Sequence, residues 1–445
     1  MRKVLKWMGI AVLTPILLII ILAALLYLPP IQNWAVHKVA AIASEKTGME
    51  ITVEHVSLEF PLDLGIEGFR AIKQNDSLPQ IKDTIADIRK LVADVEFLPL
   101  LRKRVVIDEL ALHQAKINTN GFISDLRIKG EFNELWLSSK GIDLDKETVE
   151  VNGARLAEAQ LDIALSDTAA TDTTPSTTKW IINADSLTIS QTALNIHLPG
   201  DTLSVGAWLG KAVAHEAIID LGRDRYQVGS LEWEEGRLTY DDRWEPQVSG
   251  LDYNHLALSD ISLQFDSISY TPQGTSLYIR QTAFKEKSGL ELTALEGGVR
   301  LDSTFNYIEL PRMGLKTPDS NAELELAMNL GALDAQSQEP MRLRLNAQLG
   351  KQDLIRFAGD LPQAFIQHYP NQPLSIKGSV DGNMQQVNFT GLDLHLPSAF
   401  HLTASGTAQN LTSSEQLKAD IQLKAQTENT NFLLALADPS LMKDY

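Results

Sequence analysis

The chain has 445 residues, 44% of them hydrophobic, so it is long enough for one to three folded units or an extended repeat and too apolar for a disordered chain. Acidic residues outnumber basic ones 57 to 39, a balance of −18, and no basic stripe offsets it, which disfavours a general nucleic-acid binder. Cysteine is absent, which removes disulfides, zinc–thiolate sites and cysteine nucleophiles together.

Arg2, Lys3 and Lys6 lie in a short tail, residues 1–6, ahead of an uncharged run from Trp7 to Leu28. At 1.5 Å per helical residue that run spans about 33 Å, enough to cross a bilayer core. Trp7 and Tyr27 stand at its two ends, where amphipathic rings favour the headgroup boundary. The basic residues precede the run, so the positive-inside rule places the N-terminus in the cytoplasm and the bulk of the chain outside. The run is longer than the apolar core of a signal peptide and lacks a clean small-x-small processing site, so it reads as an uncleaved single-pass anchor. Pro29-Pro30 ends it and opens a second, juxtamembrane helix over 29–48, with Ile31, Ala35, Val39, Ile42 and Ala43 on one face and Gly48 as its stop.

From residue 49 onward the apolar period is two. The segments Leu58-Phe60-Leu62-Leu64-Ile66, Leu91-Ala93-Val95-Phe97, Leu161-Ile163-Leu165, Leu194-Ile196-Leu198 and Ile261-Leu263-Phe265 each put apolar side chains on one face of a strand. The clearest cases come later. Leu324, Leu326, Met328 and Leu330 alternate with polar residues, as do Met341, Leu343, Leu345, Ala347 and Leu349, and again Leu417, Ile421 and Leu423. One greasy and one wet face per strand is the signature of antiparallel sheet. Turns are expected at Pro199-Gly200-Asp201, Gly222, Pro272 to Gly274, Gly297-Gly298, Pro318-Asp319 and Gly382-Asn383. Residues 166–178 hold eight Ser/Thr in thirteen positions and read as a loop. Gln352 to Phe365, broken at Pro362, is the one later stretch with a helical period.

Nearly 400 residues of half-buried strand need a cover for the apolar face, and helices are too few to supply it. Paired sandwiches and one long curled sheet both answer that need. Sandwich modules repeat near 100 residues with a recurring core landmark, whereas the tryptophans here fall irregularly at 7, 34, 136, 180, 208, 233 and 244. The expected fold is therefore mainly β: a transmembrane helix, then an elongated, curled antiparallel sheet with few short helices.

The order "SEKTGMEITVEHVSLEFPLDLGIEGFRAI" then "IADIRKLVADVEFLPLLRKRVVIDELALHQAKIN" resembles the amino-terminal part of the AsmA-like superfamily, in particular its TamB-like branch. "GLDLHLPSAFHLTASGTAQNL" also resembles that family's strand repeats. The specific wording is confined to residues 29–118; beyond them the likeness is one of pattern. The resemblance implies an AsmA-like β unit over 49–130, a groove continuing over 131–165 and groove repeats over 179–445. It implies an inner-membrane-anchored periplasmic protein of a Gram-negative envelope, linked to phospholipid movement between membranes and to outer-membrane protein insertion. Longer relatives end in a C-terminal domain that meets an outer-membrane barrel. No such terminus is evident before Tyr445, so a truncated chain is expected and that partner is not carried over.

Catalytic patterns are thin. His215-Glu216 opens like a zincin helix without its second histidine, Gly206 to Ala212 has the wrong spacing for a P-loop, and Asp143-Leu-Asp145-Lys-Glu147 lacks the glycine and distal glutamate of a calcium loop. His395 and His401 are close in sequence only, and Asp241-Asp242 is unremarkable among so many acids. No enzyme, metal or cofactor is expected. The expected function is shielding of phospholipid acyl chains along an apolar groove, with Leu324, Leu326, Met328, Leu330, Met341, Leu343, Leu345, Ala347, Leu349, Leu417, Ile421 and Leu423 lining it. The alternatives are a scaffold docking the strands of outer-membrane β-barrel proteins and an anchored sandwich-type adhesin or binding protein. Aromatics of only 7% weigh against the last.

Overall fold

The structure is a computed structural model that describes residues 37–435 except 39, 42–43, 46, 60–62, 75–79, 81, 97–98, 100–103, 120–125, 144, 166–178, 199–202, 334–336 and 411–415. The expected tail and anchor over 1–28, with Trp7 and Tyr27, and the Ser/Thr-rich loop lie outside the described residues. The chain is mainly β and divides into two units, residues 1–175 with 180–200 and residues 176–179 with 201–445.

The described residues within 37–47 are helical. Gly48 closes that turn at φ 67°, its amide bonding Ser44 O at 3.0 Å, as a glycine C-cap should.

The first unit holds β1 (Glu50–Thr52), β2 (His55–Glu59), β3 (Asp63–Gln74), β4 (Lys82–Val95), β5 (Arg104–Val105), β6 (Ile107–Asn118), β7 (Leu126–Asp143), β8 (Thr148–Leu165) and β9 (Ile181–His197). β1 and β2 both pair with β3, and the order then runs β3–β4–β6–β7–β8, antiparallel at each step. The alternation from Leu58 to Ile66, expected as one strand, is a hairpin in which Val56 faces Ile66. A second correction is larger: β9 lies parallel to β8, Thr148 facing Ile181 and Ile163 facing Ile196. Parallel neighbours need a crossover of about a dozen residues rather than a tight turn. Fifteen residues, 166–180, separate the two strands in sequence.

Within this unit the two-residue period breaks at one row of residues. Gly68, Arg89, Gln114, Asn133, Glu158 and Gln191 stand opposite one another across β3, β4, β6, β7, β8 and β9, between flanking pairs such as Phe69↔Ile88, Ala115↔Phe132 and Ala157↔Ser190. Gly68, Gln114, Glu158 and Gln191 are left-handed, at φ 66°, 52°, 52° and 47°. Such a residue acts as a bulge does: it turns the chain so that the next side chain returns to the face just left. Apolar positions therefore change parity across the row from Leu112 to Ala115 and from Leu156 to Ala159; β7 makes the same change from Phe132 to Leu135 without a left-handed residue there. They still meet on one side. Ile88, Ala115, Phe132 and Ala159 form a buried cluster with Phe69, Leu91, Leu112, Leu135, Leu156 and Leu161 packed against it, residues from both sides of the row.

The second unit holds β10 (Leu203–Asp220), β11 (Arg225–Asp242), β12 (His255–Thr271), β13 (Gly274–Glu286), β14 (Glu291–Leu292), β15 (Ala294–Asp302), β16 (Tyr307–Lys316), β17 (Asn321–Asn329), β18 (Met341–Leu349), β19 (Leu374–Asn383), β20 (Gln386–Leu396), β21 (Phe400–Gln409) and β22 (Lys418–Thr427). Chain neighbours pair antiparallel, with β14 and β15 both on β13. Left-handed Glu216, Glu235 and Asp260 repeat the parity change in β10, β11 and β12. Gly229 and Gly210 lie beside the first two; a Cβ on Gly210 would come within 2.5 Å of Glu235 Cβ, and one on Gly229 within 2.7 Å of Glu216 Oε2.

Turns form at Gly222, at Pro272-Gln273, at Pro318-Asp319 and after Asn383, as expected. Gly297-Gly298 is not a turn; both lie inside β15. A Cβ on Gly297 would fall 2.2 Å from Arg312 O, so the glycine serves close backbone approach to the bulge around Pro311 in β16. The helical stretch splits into α1 (Lys351–Ala358), ended by Gly359 at φ 67°, and α2 (Gln363–His368), entered through Pro362, and a short α3 (Asn431–Leu434) follows β22.

Candidate functional site

The ladders β17–β18 and β18–β19 carry no register shift, so their alternation is strict. Ala322, Leu324, Leu326 and Met328 face Ala347, Leu345, Leu343 and Met341 in turn, and these face Ile376, Gly378, Val380 and Gly382. The stripe extends to β16 through Ile308, Leu310, Met313 and Leu315, and to β20 through Val387, Phe389 and Leu394. The opposite face is polar and laced with exposed ion pairs: Arg344–Glu325 at 3.2 Å, Arg342–Asp381 at 3.1 Å and Arg312–Glu323 at 3.4 Å. Such pairs contribute little stability in water, about 0–1 kcal/mol each, and serve mainly to keep that face wet.

The apolar stripe is only half covered. Leu324, Leu326, Met341, Leu343, Leu345 and Leu349 are of intermediate burial, and only Met328 and Ala347 of the expected lining residues are buried. At the flanks of the stripe, Met313 on β16 and Val387 on β20 are buried as well. A leucine inside a closed core gains about 1.5–3 kcal/mol from burial. Here part of that gain is unrealised, because the stripe's leucines keep part of their surface exposed.

One margin of the face is closed. The ends of β18 and β20 and the starts of β19 and β21 meet α1, α2 and α3, where Phe365, Tyr369, Leu396, Ala399 and Phe432 form a buried cluster. Its three rings sit 5.2–5.5 Å apart in tilted and edge-on contacts. The Tyr369 hydroxyl is buried there without a hydrogen-bond partner, and burial pushes its pKa up. Asp353 on α1 is 0% exposed and ties the cap to the β16–β17 turn. It accepts hydrogen bonds from Thr317 Oγ1, from Ser320 Oγ at 2.6 Å and from Arg356 at 3.1 Å.

Of the expected lining residues, Leu330 and Leu417 lie off their strands, and Ile421 and Leu423 are exposed on theirs. Leu330 lies beyond β17 in a 3-10 turn and is 57% exposed, because Leu330 N bonds Asn306 O and turns the chain away. Leu417 precedes β22, so it joins no ladder and is exposed. Ile421 and Leu423 do sit on β22 in the apolar phase, facing Gly406 and Ala404, yet every residue of that strand is exposed. β22 is paired on one side only among the described ladders, which leaves its side chains without a neighbour.

The chemical motifs resolve into structure. His215-Glu216 lies in β10, where left-handed Glu216 replaces the helix a zincin needs. Gly206 to Ala212 is strand of the same β10, not a phosphate loop. Asp143 caps its own turn, accepting from Asp145 N and Lys146 N, and these bonds, Lys146 first, hold its carboxyl below the usual range. His395 and His401 are brought together after all: the β20–β21 hairpin sets them opposite, rings 5.0 Å apart, with His401 Nε2 3.1 Å from Asp393. Sequence spacing of six reads as distance in a helix but as facing positions in a hairpin. Among the described residues, no group of three or more His, Asp or Glu is gathered to hold a metal ion, and no helix is long and apolar enough to cross a membrane.

The row of left-handed residues was missed in sequence, although it has a signal. Leu-His-Gln-Ala, Leu-Ala-Glu-Ala, Ile-Ser-Gln-Thr, Ala-His-Glu-Ala, Trp-Glu-Glu-Gly and Leu-Ser-Asp-Ile recur near mid-strand. Each holds two non-lining residues between lining ones, where strict alternation allows one. In comparisons with protein-family models and with curated proteins, the chain matches none.

Proposed function

We propose that this is an inner-membrane-anchored periplasmic protein whose apolar sheet face shields phospholipid acyl chains and conducts them between the inner and outer membranes, contributing to outer-membrane biogenesis. The observation that carries this reading is the half-covered stripe on β16–β20, closed at one margin by α1–α3. An acyl chain in water exposes apolar surface worth about 25 cal/mol per Å², and an uncovered apolar face carries the matching deficit. Laying one on the other removes both. A stripe of Leu, Ile, Val, Phe and Met has no shaped pocket to trap a lipid, so binding is broad and transient. The polar face stays wet, which lets the strands stand in water with one side loaded. The apolar run Trp7 to Leu28 supports the anchor, and the resemblance of residues 29–118 to the AsmA-like superfamily supports the compartment and the cargo.

Native mass spectrometry of the full chain, extracted in mild detergent, tests this. Phospholipid adducts are expected on the parent protein, with strong loss in the double variant Leu326→Asp/Leu343→Asp and retention in Glu325→Gln/Arg344→Gln on the wet face. Absence of lipid from the parent, or equal loss in both variants, contradicts the reading.

A second reading, docking of client β-strands, draws on β22. Its ten residues are exposed and its outer edge is unpaired among the described ladders, the arrangement that strand addition uses. Cross-links from Asp420 or Lys424 to a β-barrel client, with no lipid on Leu343, would favour it.

A further inference from the structure

The connection between β11 and β12, residues 243–254, presents Trp244 at 75%, Tyr253 at 64% and Val248 at 59% exposure, among the most exposed large apolar side chains of the described residues. A loop that shows such side chains is ordinarily one that moves out of the way. This one is fastened at four points. Asp252, 2% exposed, accepts from Val248 N at 3.0 Å and Asn254 N at 3.1 Å, and meets His255 Nδ1 at 3.0 Å. Asp242 accepts from Trp244 N at 3.1 Å, and its own amide bonds Asn254 O at 2.8 Å. Leu251 N reaches Arg356 O of α1 at 2.9 Å. Gly250, at φ 81°, lies so close to α1 that a Cβ would stand 2.5 Å from Arg356 O. The loop is thus preformed, and its apolar side chains face water at no saving in backbone order.

We infer that loop 243–254 is a membrane-contact site that seats Trp244, Val248 and Tyr253 at the headgroup boundary of a zwitterionic bilayer. Two observations select that occupant. The exposed neighbours of the three side chains are Arg243, Glu245, Pro246, Gln247, Ser249 and Asn254, polar but for the proline. The bilayer interface accepts amphipathic rings and polar groups side by side. The charge then selects the lipid. Asp242 and Glu245 flank Trp244, and Arg243, the one base in the loop, lies 4.0 Å from Asp241. With the chain at −18 overall, an anionic leaflet is repelled and a zwitterionic one is not. The inference stands apart from lipid conduction: the loop could touch a bilayer whether or not the stripe on β17–β19 carries lipid.

The chain has no cysteine, so one can be placed at will. The full chain is reconstituted into vesicles of phosphatidylcholine with a nitrobenzoxadiazole probe on Gln247→Cys, or on Gln273→Cys in the turn at the opposite strand ends, and quenched with spin-labelled lipid. Stronger quenching at 247 than at 273 is expected, falling to the level of 273 in Trp244→Ala/Tyr253→Ala. Equal molar phosphatidylglycerol should reduce it, and Glu245→Lys should restore it by about fivefold per charge changed. The alanine variant should melt with the parent, since it removes exposed groups only; if it does not, the Glu245→Lys series decides alone. Equal quenching at 247 and 273, a signal indifferent to Trp244 and Tyr253, or a probe shielded from water yet untouched by lipid quencher would each overturn the inference, the last in favour of a protein partner. Lipid adducts on Leu343 are read separately, so failure here leaves the conduction reading untouched, and the reverse.

Discussion

The strands β3 to β9 and the strands β17 to β19 meet the same difficulty, an apolar face with no helical layer to cover it, and answer it differently. In the first set left-handed residues at one row turn β3, β6, β8 and β9 at mid-length, and the side chains on either side of the row pack on each other. Ala115 and Ala159 are 1% exposed in consequence. In the second set the ladders run without a shift, so neighbouring side chains stand parallel and stay half-covered. Burial there is concentrated at the margin, under α1–α3. A face that folds on itself forms a core; a face that runs straight remains a surface.

Substitutions in the two regions should separate these two behaviours. The largest effect is expected at the helical margin. Phe432, 2% exposed among Phe365 and Tyr369, should cost about 3–5 kcal/mol as Phe432→Ala. Hydrogen exchange should show the loss in α1–α3 and the adjoining strand ends, with β3–β9 unaffected. Next comes the bent face. Ala159→Leu inserts volume into a closed cluster and should destabilise by about 1–3 kcal/mol, read by urea unfolding. Leu343→Ala on the straight face should cost less than a core leucine, about 1–1.5 kcal/mol, because part of its surface is wet already. Equal costs at a core leucine and at Leu343 would erase the distinction.

The backbone itself gives a smaller signal. Left-handed geometry costs a side-chain-bearing residue about 1–2 kcal/mol, so Gln114→Gly should stabilise by up to about 1 kcal/mol and Gln114→Val should destabilise by about as much. If valine were tolerated and glycine harmful, the row would not be what bends the strands.

The smallest effect is local and set by pH. The Val248 amide, with help from Asn254 and His255, holds the Asp252 carboxyl below the usual carboxylate range against the opposing pull of burial. A depressed folded pKa contributes stability that is complete above the unfolded carboxylate pKa and is lost as pH falls through the lower, folded one. Protection of the Val248 and Asn254 amides should therefore decline on acidification, and Asp252→Asn should show weak protection already at neutral pH.

How much of this was legible beforehand follows from the same contrast. Met341 to Leu349 could be read residue by residue because its ladders are unbroken and parity alone assigns the face. In β6 the reading halts at Gln114, since the parity before and after differs and only a backbone angle reconciles them. The split of the helical stretch at Pro362 was visible because proline acts locally. The parallel β8–β9 pair was not, because alternation within a strand does not report its direction. Leu330 and Leu417 kept the right period one residue too long; strand ends are set by turns, here the bond from Leu330 N to Asn306 O, which hydrophobicity does not report. Loop 243–254 carried its aromatics in plain sight, but their exposure is a fact of the fold.

The central claim is that the straight face is open to lipid and the bent one is closed. A photo-crosslinking residue placed in turn at Met341 through Leu349, and at Ala115 and Ala159, in the anchored full chain tests it in one series. Phospholipid adducts at 343, 345 and 347, with none at 342, 344 and 346 and none at 115 or 159, are the expected result. Adducts absent at both parities of β18, with 343 and 345 joined only to other residues of the chain, would contradict the account and make the stripe a closed core.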